Sequence, residues 1–189
     1  MHSLDSQSTA RGSGSGDGPN GPSPWVVRFA PLVPAAAPVL DLACGSGRHS
    51  RPFLARGHPV LAVDRDLSRL GDLAGHPLLE SLACDLESGA VPDFFQRRFG
   101  GIVVTNYLHR PLFGPLATAL APGGVLIYET FAKGNERFGK PSSPDFLLEE
   151  GELLHAFGDR LRVVAYENHF VEQPRPAAVQ RLSAQAPET

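Results

Sequence analysis

Long apolar runs are missing from this chain. No stretch approaches the ~20 residues needed to cross a bilayer as a helix, which excludes a helical membrane span. The opening residues, Met1-His2-Ser3-Leu4-Asp5, carry neither a basic nor an apolar segment, so no signal peptide is expected. Cysteine is scarce: Cys44 and Cys84 are the only two, and both sit in apolar, strand-like surroundings. They read as buried free thiols and not as a disulfide or metal site, and they point to a reducing, cytoplasmic setting. His155, His169 and the other histidines lack metal-ligand spacing, so no metal is expected. Positive charge is not in excess either. A net charge of −3 removes any bulk electrostatic case for nucleic acid, though not for a local basic patch.

What is present suits one domain. The chain has 189 residues, 42% of them hydrophobic and 20% charged, enough to bury a substantial core. Ser6 to Pro24 is nearly all Ser, Gly, Pro, Asn and Asp and cannot offset its own ordering entropy. Residues 1–24 are therefore expected as a flexible tail, with a single domain over 25–189 beginning near Trp25.

Apolar runs then alternate with helical patterns. Strands are expected at Val39 to Ala43, Pro59 to Val63, Leu78 to Ala83, Gly101 to Thr105 and Val125 to Thr130. Helices are expected at Arg48 to Arg56 (stopped by Gly57), Leu67 to Leu73, Leu112 to Leu120 and Leu147 to Phe157. Ala121-Pro122-Gly123-Gly124 reads as a sharp turn, and 133–144 as a long loop. Leu161 to Val171 and Ala177 to Leu182 read as a terminal hairpin. This alternation gives a Rossmann-like, doubly wound α/β fold with a mostly parallel sheet.

Ligands of such sheets bind beyond the carboxyl ends of the strands. The residues at those ends form a series: Asp41 with Gly45 and Gly47, then Asp64, Asp85, Asn106 and Glu129. The run Val39-Leu40-Asp41-Leu42-Ala43-Cys44-Gly45-Ser46-Gly47 is a buried strand breaking into a glycine turn, where the backbone approaches a ligand closely. Asp64 follows Gly45 at a spacing suited to ribose hydroxyls. Asp85 could meet an adenine amino group, with Leu86 lying against the ring. The dinucleotide fingerprint fails, because Ser50 stands at its third glycine, and Asp41 would repel a pyrophosphate.

These motifs, with Ala62-Val63-Asp64, Cys84-Asp85-Leu86 and Leu120-Ala121-Pro122-Gly123-Gly124-Val125-Leu126, resemble class I S-adenosylmethionine-dependent methyltransferases in content and order over residues 38–131. Within that family the chain is most similar to the small tellurite-resistance (TehB-like) type. The resemblance implies a seven-stranded sheet with an antiparallel C-terminal strand, to which the terminal hairpin points independently. It implies that Gly45 and Gly47 lie against S-adenosylmethionine, Asp64 holds its ribose, Asp85 and Leu86 flank adenine, and Asn106 sits near the methionine moiety. Asp41 would organise the loop or meet the ligand's amino group. The chain departs from the family at His49, where a third glycine is common.

The implied reaction is in-line transfer of the sulfonium methyl to an acceptor, expected to be a small molecule, with tRNA or protein acceptors left open. His109 is a candidate general base, although a histidine at a helix start commonly caps or packs. Glu129 is a candidate for contact with cofactor or acceptor. Arg110 could bind an anionic acceptor or stay solvated, and Asn135 and Glu136 could form a lid. Two other readings stand beside this one: an NAD(P)-dependent oxidoreductase, disfavoured by Asp41 and Ser50, and a catalytically silent S-adenosylmethionine-binding protein.

Overall fold

The computed structural model describes residues 21–188, so residues 1–20 of the expected tail lie outside the described residues. Helix α1 (Pro24–Phe29) starts with Ser23 capping the Trp25 N–H and proline in its first turn, a favourable N-terminal arrangement. The remaining helices are α2 (Ser50–Leu54), α3 (Phe113–Ala119) and α4 (Glu152–Phe157). The strands are β1 (Val39–Leu42), β2 (Val60–Asp64), β3 (Leu79–Ala83), β4 (Phe99–Thr105), β5 (Leu120–Phe131), β6 (Arg162–Val171) and β7 (Ala177–Gln185).

They form one seven-stranded sheet in the order β3-β2-β1-β4-β5-β7-β6. Pairing is parallel from β3 through β5, and β7 runs antiparallel to both β5 and β6. The sequence-expected architecture is the one observed. Side chains alternate across the sheet and feed two cores. Leu40, Leu42, Ile102 and Leu126 pack with α3 and α4 through Leu116, Leu153 and Phe157. Val39, Ala62, Val103 and Ile127 pack with α1 and α2 through Trp25, Phe29 and Phe53. Helices thus cover both faces, which is why β1 and β4 are buried along their whole length.

Four local expectations need correction. The expected turn at 121–124 is a bulge within β5: Leu120 pairs with Phe99 and Val125 with Gly101, leaving four residues looped out. A Cβ on Gly124 would come within 2.8 Å of the Phe99 carbonyl oxygen, so the strand re-enters the sheet only as glycine. The helix expected over Leu147 to Phe157 begins at Glu152. Gly151 sits at φ +72°, outside the helical region, and Leu148 instead bridges to Ala132 beyond β5. Finally, α2 spans only Ser50–Leu54 of the expected Arg48 to Arg56, and the segment 67–73 is a kinked 3₁₀ turn rather than a regular helix.

Candidate active site

Two cavities open at the carboxyl ends of the strands. The larger, about 1010 Å³, lies over the turns after β1, β2, β3 and β4. Gly45, Asp64, Asp85, Leu86 and Asn106 all line it. The turn after β1 alternates left-handed residues, with Ala43 at φ +55°, Gly45 at +55° and Gly47 at +68°. This curls the chain so that the Gly45 N–H donates to Asp64 Oδ2 at 2.8 Å. The other Asp64 oxygen accepts from the Asp66 N–H at 3.1 Å, fixing the carboxylate at the end of β2. Asp85 is held likewise by the Glu87 N–H at 3.0 Å, while Leu86 is buried beside it.

The two glycines of the turn have different tasks. A Cβ on Gly45 would meet nothing within 4 Å, so the space above it is cavity. A Cβ on Gly47 would sit 2.5 Å from Leu73 Cδ1 and 3.0 Å from Leu70 Cδ2. Gly47 therefore lets the 3₁₀ turn pack onto the loop and does not itself line the cavity.

Asp41 also stands beneath the cavity and not in it. It is buried in mid-β1, where Ser50 Oγ donates to its Oδ2 at 2.6 Å. Burial pushes its carboxyl up to about 6, opposed by the Ser50 hydrogen bond. Ser50, the departure from the dinucleotide fingerprint, thus ties the start of α2 to β1. Of the two roles open to Asp41, this geometry serves the loop.

His49 was legible only as a missing glycine, yet it is a wall of the cavity. The ring is buried, with Nδ1 3.0 Å from Thr105 Oγ1 at the end of β4. Burial, and then the positive charge of Arg48, push its pKa down to about 3, so the imidazole is neutral. Its Nε2 is buried without a hydrogen-bond partner, an arrangement costly enough to need a reason. Cys44 lines the same wall, with its thiol pushed up to about 12 by burial, and both cysteines are free.

The residues expected to act on the acceptor lie elsewhere. Neither His109 nor Glu129 lines either cavity. Glu129, in β5, receives Arg181 of β7 on its carboxylate, and Arg181 also binds Glu167 of β6 at 3.0 Å. Arg110 is exposed yet engaged: it grips Glu152 at 2.6 Å and the carbonyl oxygens of Asp145 and Leu147 at 2.9 and 3.0 Å. Asn135 is buried and donates to the Pro141 carbonyl at 2.9 Å, shaping the long loop from within. Tyr128 packs in the core and donates to the Tyr107 carbonyl oxygen at 3.0 Å. Among the described residues no group of three or more His, Cys, Asp or Glu could hold a metal, and no helix is long and apolar enough to cross a membrane.

The fold recurs in solved structures. TehB from Haemophilus influenzae superposes with a TM-score of 0.70 at 18% identity, over 85% of this chain and 61% of that one. The fold is that of the class I methyltransferases. The 1,6-didemethyltoxoflavin-N1-methyltransferase of Burkholderia thailandensis, solved with 1,6-didemethyltoxoflavin and S-adenosylhomocysteine, matches at TM-score 0.63 and 20% identity, over 87% and 77% of the two chains. The glycopeptide N-methyltransferase MtfA, complexed with S-adenosylhomocysteine, matches at 0.60 and 20%, over 86% and 88%. No family model matches the sequence, and no curated protein does. The chain thus carries the methyltransferase fold, and it spans less than two thirds of the TehB chain.

Proposed function

We propose that the chain is a methyltransferase that binds S-adenosylmethionine in the larger cavity and transfers its methyl group to a small molecule. The observation that carries this reading is the open space over Gly45 beside an Asp64 carboxylate pinned by the Gly45 N–H. A ligand can lie on the bare loop while its vicinal hydroxyls donate to Asp64, whose oxygens keep spare lone pairs. Asp85 offers an acceptor to an exocyclic amine and Leu86 an apolar surface to the ring. Toward the methionine end, Asn106 and Arg48 supply polar groups. The donor set fits a ligand carrying hydroxyls, an aromatic amine and a zwitterionic tail. S-adenosylhomocysteine in the structural neighbours supports the same cofactor.

Bound S-adenosylmethionine supplies an electrophilic methyl group on a sulfonium. The chain's own contribution is alignment of the acceptor, which is worth ~7–11 kcal/mol. A general base adds about 3–5 kcal/mol. With His109 and Glu129 outside both cavities, alignment carries the rate and neither residue takes a proton. The neutral His49 keeps a fixed ring against the cofactor side because Thr105 holds its other nitrogen.

The test is transfer of tritiated methyl from S-adenosylmethionine into a small-molecule cell extract. Wild-type protein is expected to label it, and a folded Gly45→Arg variant is not. No transfer by wild type, or equal transfer by the variant, contradicts the reading.

A further inference from the structure

The smaller cavity, about 530 Å³, is lined by Asn106, Phe131, Lys140, Pro141, Ser142, Ser143, Phe146 and Arg175. Asn106 and Phe146 also line the larger cavity, so the two share a boundary. Four separate segments meet here: the end of β4, the end of β5, the long loop and the tip of the β6–β7 hairpin. Every charged residue in this lining is cationic, and no carboxylate belongs to it.

Lys140 is one of two lysines in the chain. The other, Lys133, is ion-paired with Glu149 at 2.5 Å, and Arg110 and Arg181 are likewise spent on carboxylates. Lys140 and Arg175 make no ion pair and no side-chain hydrogen bond among the described residues. Phe146 is about half exposed and lines both cavities, so it stands between them. Phe131 adds a second aromatic wall, and Ser142 and Ser143 add hydroxyls. The lining therefore offers two unspent positive charges beside a flat apolar surface. That combination recognises an anionic group on an aromatic or otherwise flat body.

We propose that the smaller cavity is the acceptor site and that the acceptor is an aromatic organic anion, with Lys140 and Arg175 binding its charge and Phe131 and Phe146 its ring. The inference rests on the assignment of the larger cavity to S-adenosylmethionine, because Asn106 and Phe146 then stand between cofactor and acceptor. Lys140 and Arg175 are specificity residues, set at the outer rim and exposed.

The experiment is calorimetric titration of the full chain, saturated with S-adenosylhomocysteine, with 2-naphthoate and with its neutral isostere 2-naphthamide. The carboxylate is expected to bind about tenfold tighter than the amide, each exposed cation contributing up to about fivefold. Lys140→Gln combined with Arg175→Gln is expected to erase the preference while leaving the amide and S-adenosylhomocysteine affinities unchanged. Both side chains are exposed, so the double variant keeps its core. Equal affinity for the two probes, binding of neither, or a preference that survives in the double variant overturns the acceptor assignment alone. Failure of the wild type to bind S-adenosylhomocysteine overturns the cofactor site and this inference with it.

Discussion

The two sides of the strand-end cleft are built by different means. On the β1–β3 side, short turns hold the key carboxylates through backbone N–H groups: Gly45 N–H to Asp64, Asp66 N–H to Asp64, Glu87 N–H to Asp85. On the β4–β7 side, the walls come from a long loop and a hairpin tip, held by contacts such as Arg110 to Glu152 and Leu147 or Asn135 to Pro141. The first side repeats a local pattern of apolar run, acid and turn. The second depends on which distant segments the fold brings together. A common ligand and a variable one would be served in this way, the shared half by local geometry and the specific half by loops on a rigid sheet.

Six substitutions sharpen this contrast. The largest effect is expected on the β1–β3 side from Gly47→Ala, which adds left-handed strain and a clash with Leu73. Denaturant unfolding should show a loss of about 2–4 kcal/mol. Gly45→Ala, with open space for the methyl group, should lose only about 1–2 kcal/mol of stability. Equal losses at the two positions would erase the distinction between a packing glycine and a cavity glycine. Asp64→Ala is expected to weaken S-adenosylhomocysteine binding by about 1.5–3 kcal/mol, roughly 10- to 150-fold, through lost hydrogen bonds to a charged group. An unchanged dissociation constant would remove Asp64 from the ligand's reach.

The clamp on the other side is worth less. Arg110→Ala breaks a partly exposed ion pair and two bonds to loop carbonyls, for about 1 kcal/mol of stability. Hydrogen exchange should accelerate over 145–152 with S-adenosylhomocysteine affinity unchanged. A matching loss of cofactor affinity would show that the two sides are not separable.

The smallest effect is a pH dependence in which two buried groups oppose each other. His49 is held near 3 when folded and returns to about 6.5 when unfolded, so its contribution to stability is present above 6.5 and lost as pH falls. Asp41 is held near 6 when folded against 3.8 when unfolded, so stability is gained as pH falls from 6 toward 3.8. Relative to wild type, His49→Gln should gain stability as pH drops from 6.5 to 5, and Asp41→Asn should lose it. Chemical denaturation at several pH values reads both slopes. Identical slopes in the two variants would mean that neither group is buried as described.

How much the sequence disclosed follows the same division. The strands were most legible where an apolar run is bounded by turn residues, as in β1, β2, β4 and β5, while β3 is a weaker run broken by Glu80 and Ser81. The terminal hairpin followed from Pro174 and Pro176 between two such runs. Gly45, Asp64, Asp85, Leu86 and Asn106 were placed at strand ends by local pattern alone, and all five line the larger cavity. Asp41 and Gly47 belong to the same motif but serve packing, a distinction that depends on Ser50, Leu70 and Leu73 and on no local signal. The β5 bulge was hidden because a Pro-Gly-Gly turn and a Pro-Gly-Gly bulge read alike. The helix at 147–157 failed because Gly151 takes a left-handed conformation and Leu148 is drawn to Ala132. His49 was missed as a cavity wall because its partner, Thr105, lies 56 residues away. His109 and Glu129 stood at promising strand ends, but only the tertiary structure shows Arg181 engaging Glu129 and both residues outside the cavities.

The central claim, that the glycine turn and Asp64 form an S-adenosylmethionine site, is tested most directly by calorimetric titration with S-adenosylhomocysteine and, separately, with NAD. The account predicts saturable binding of S-adenosylhomocysteine, weakened by Asp64→Ala, and none of NAD. Binding of NAD without S-adenosylhomocysteine would contradict it.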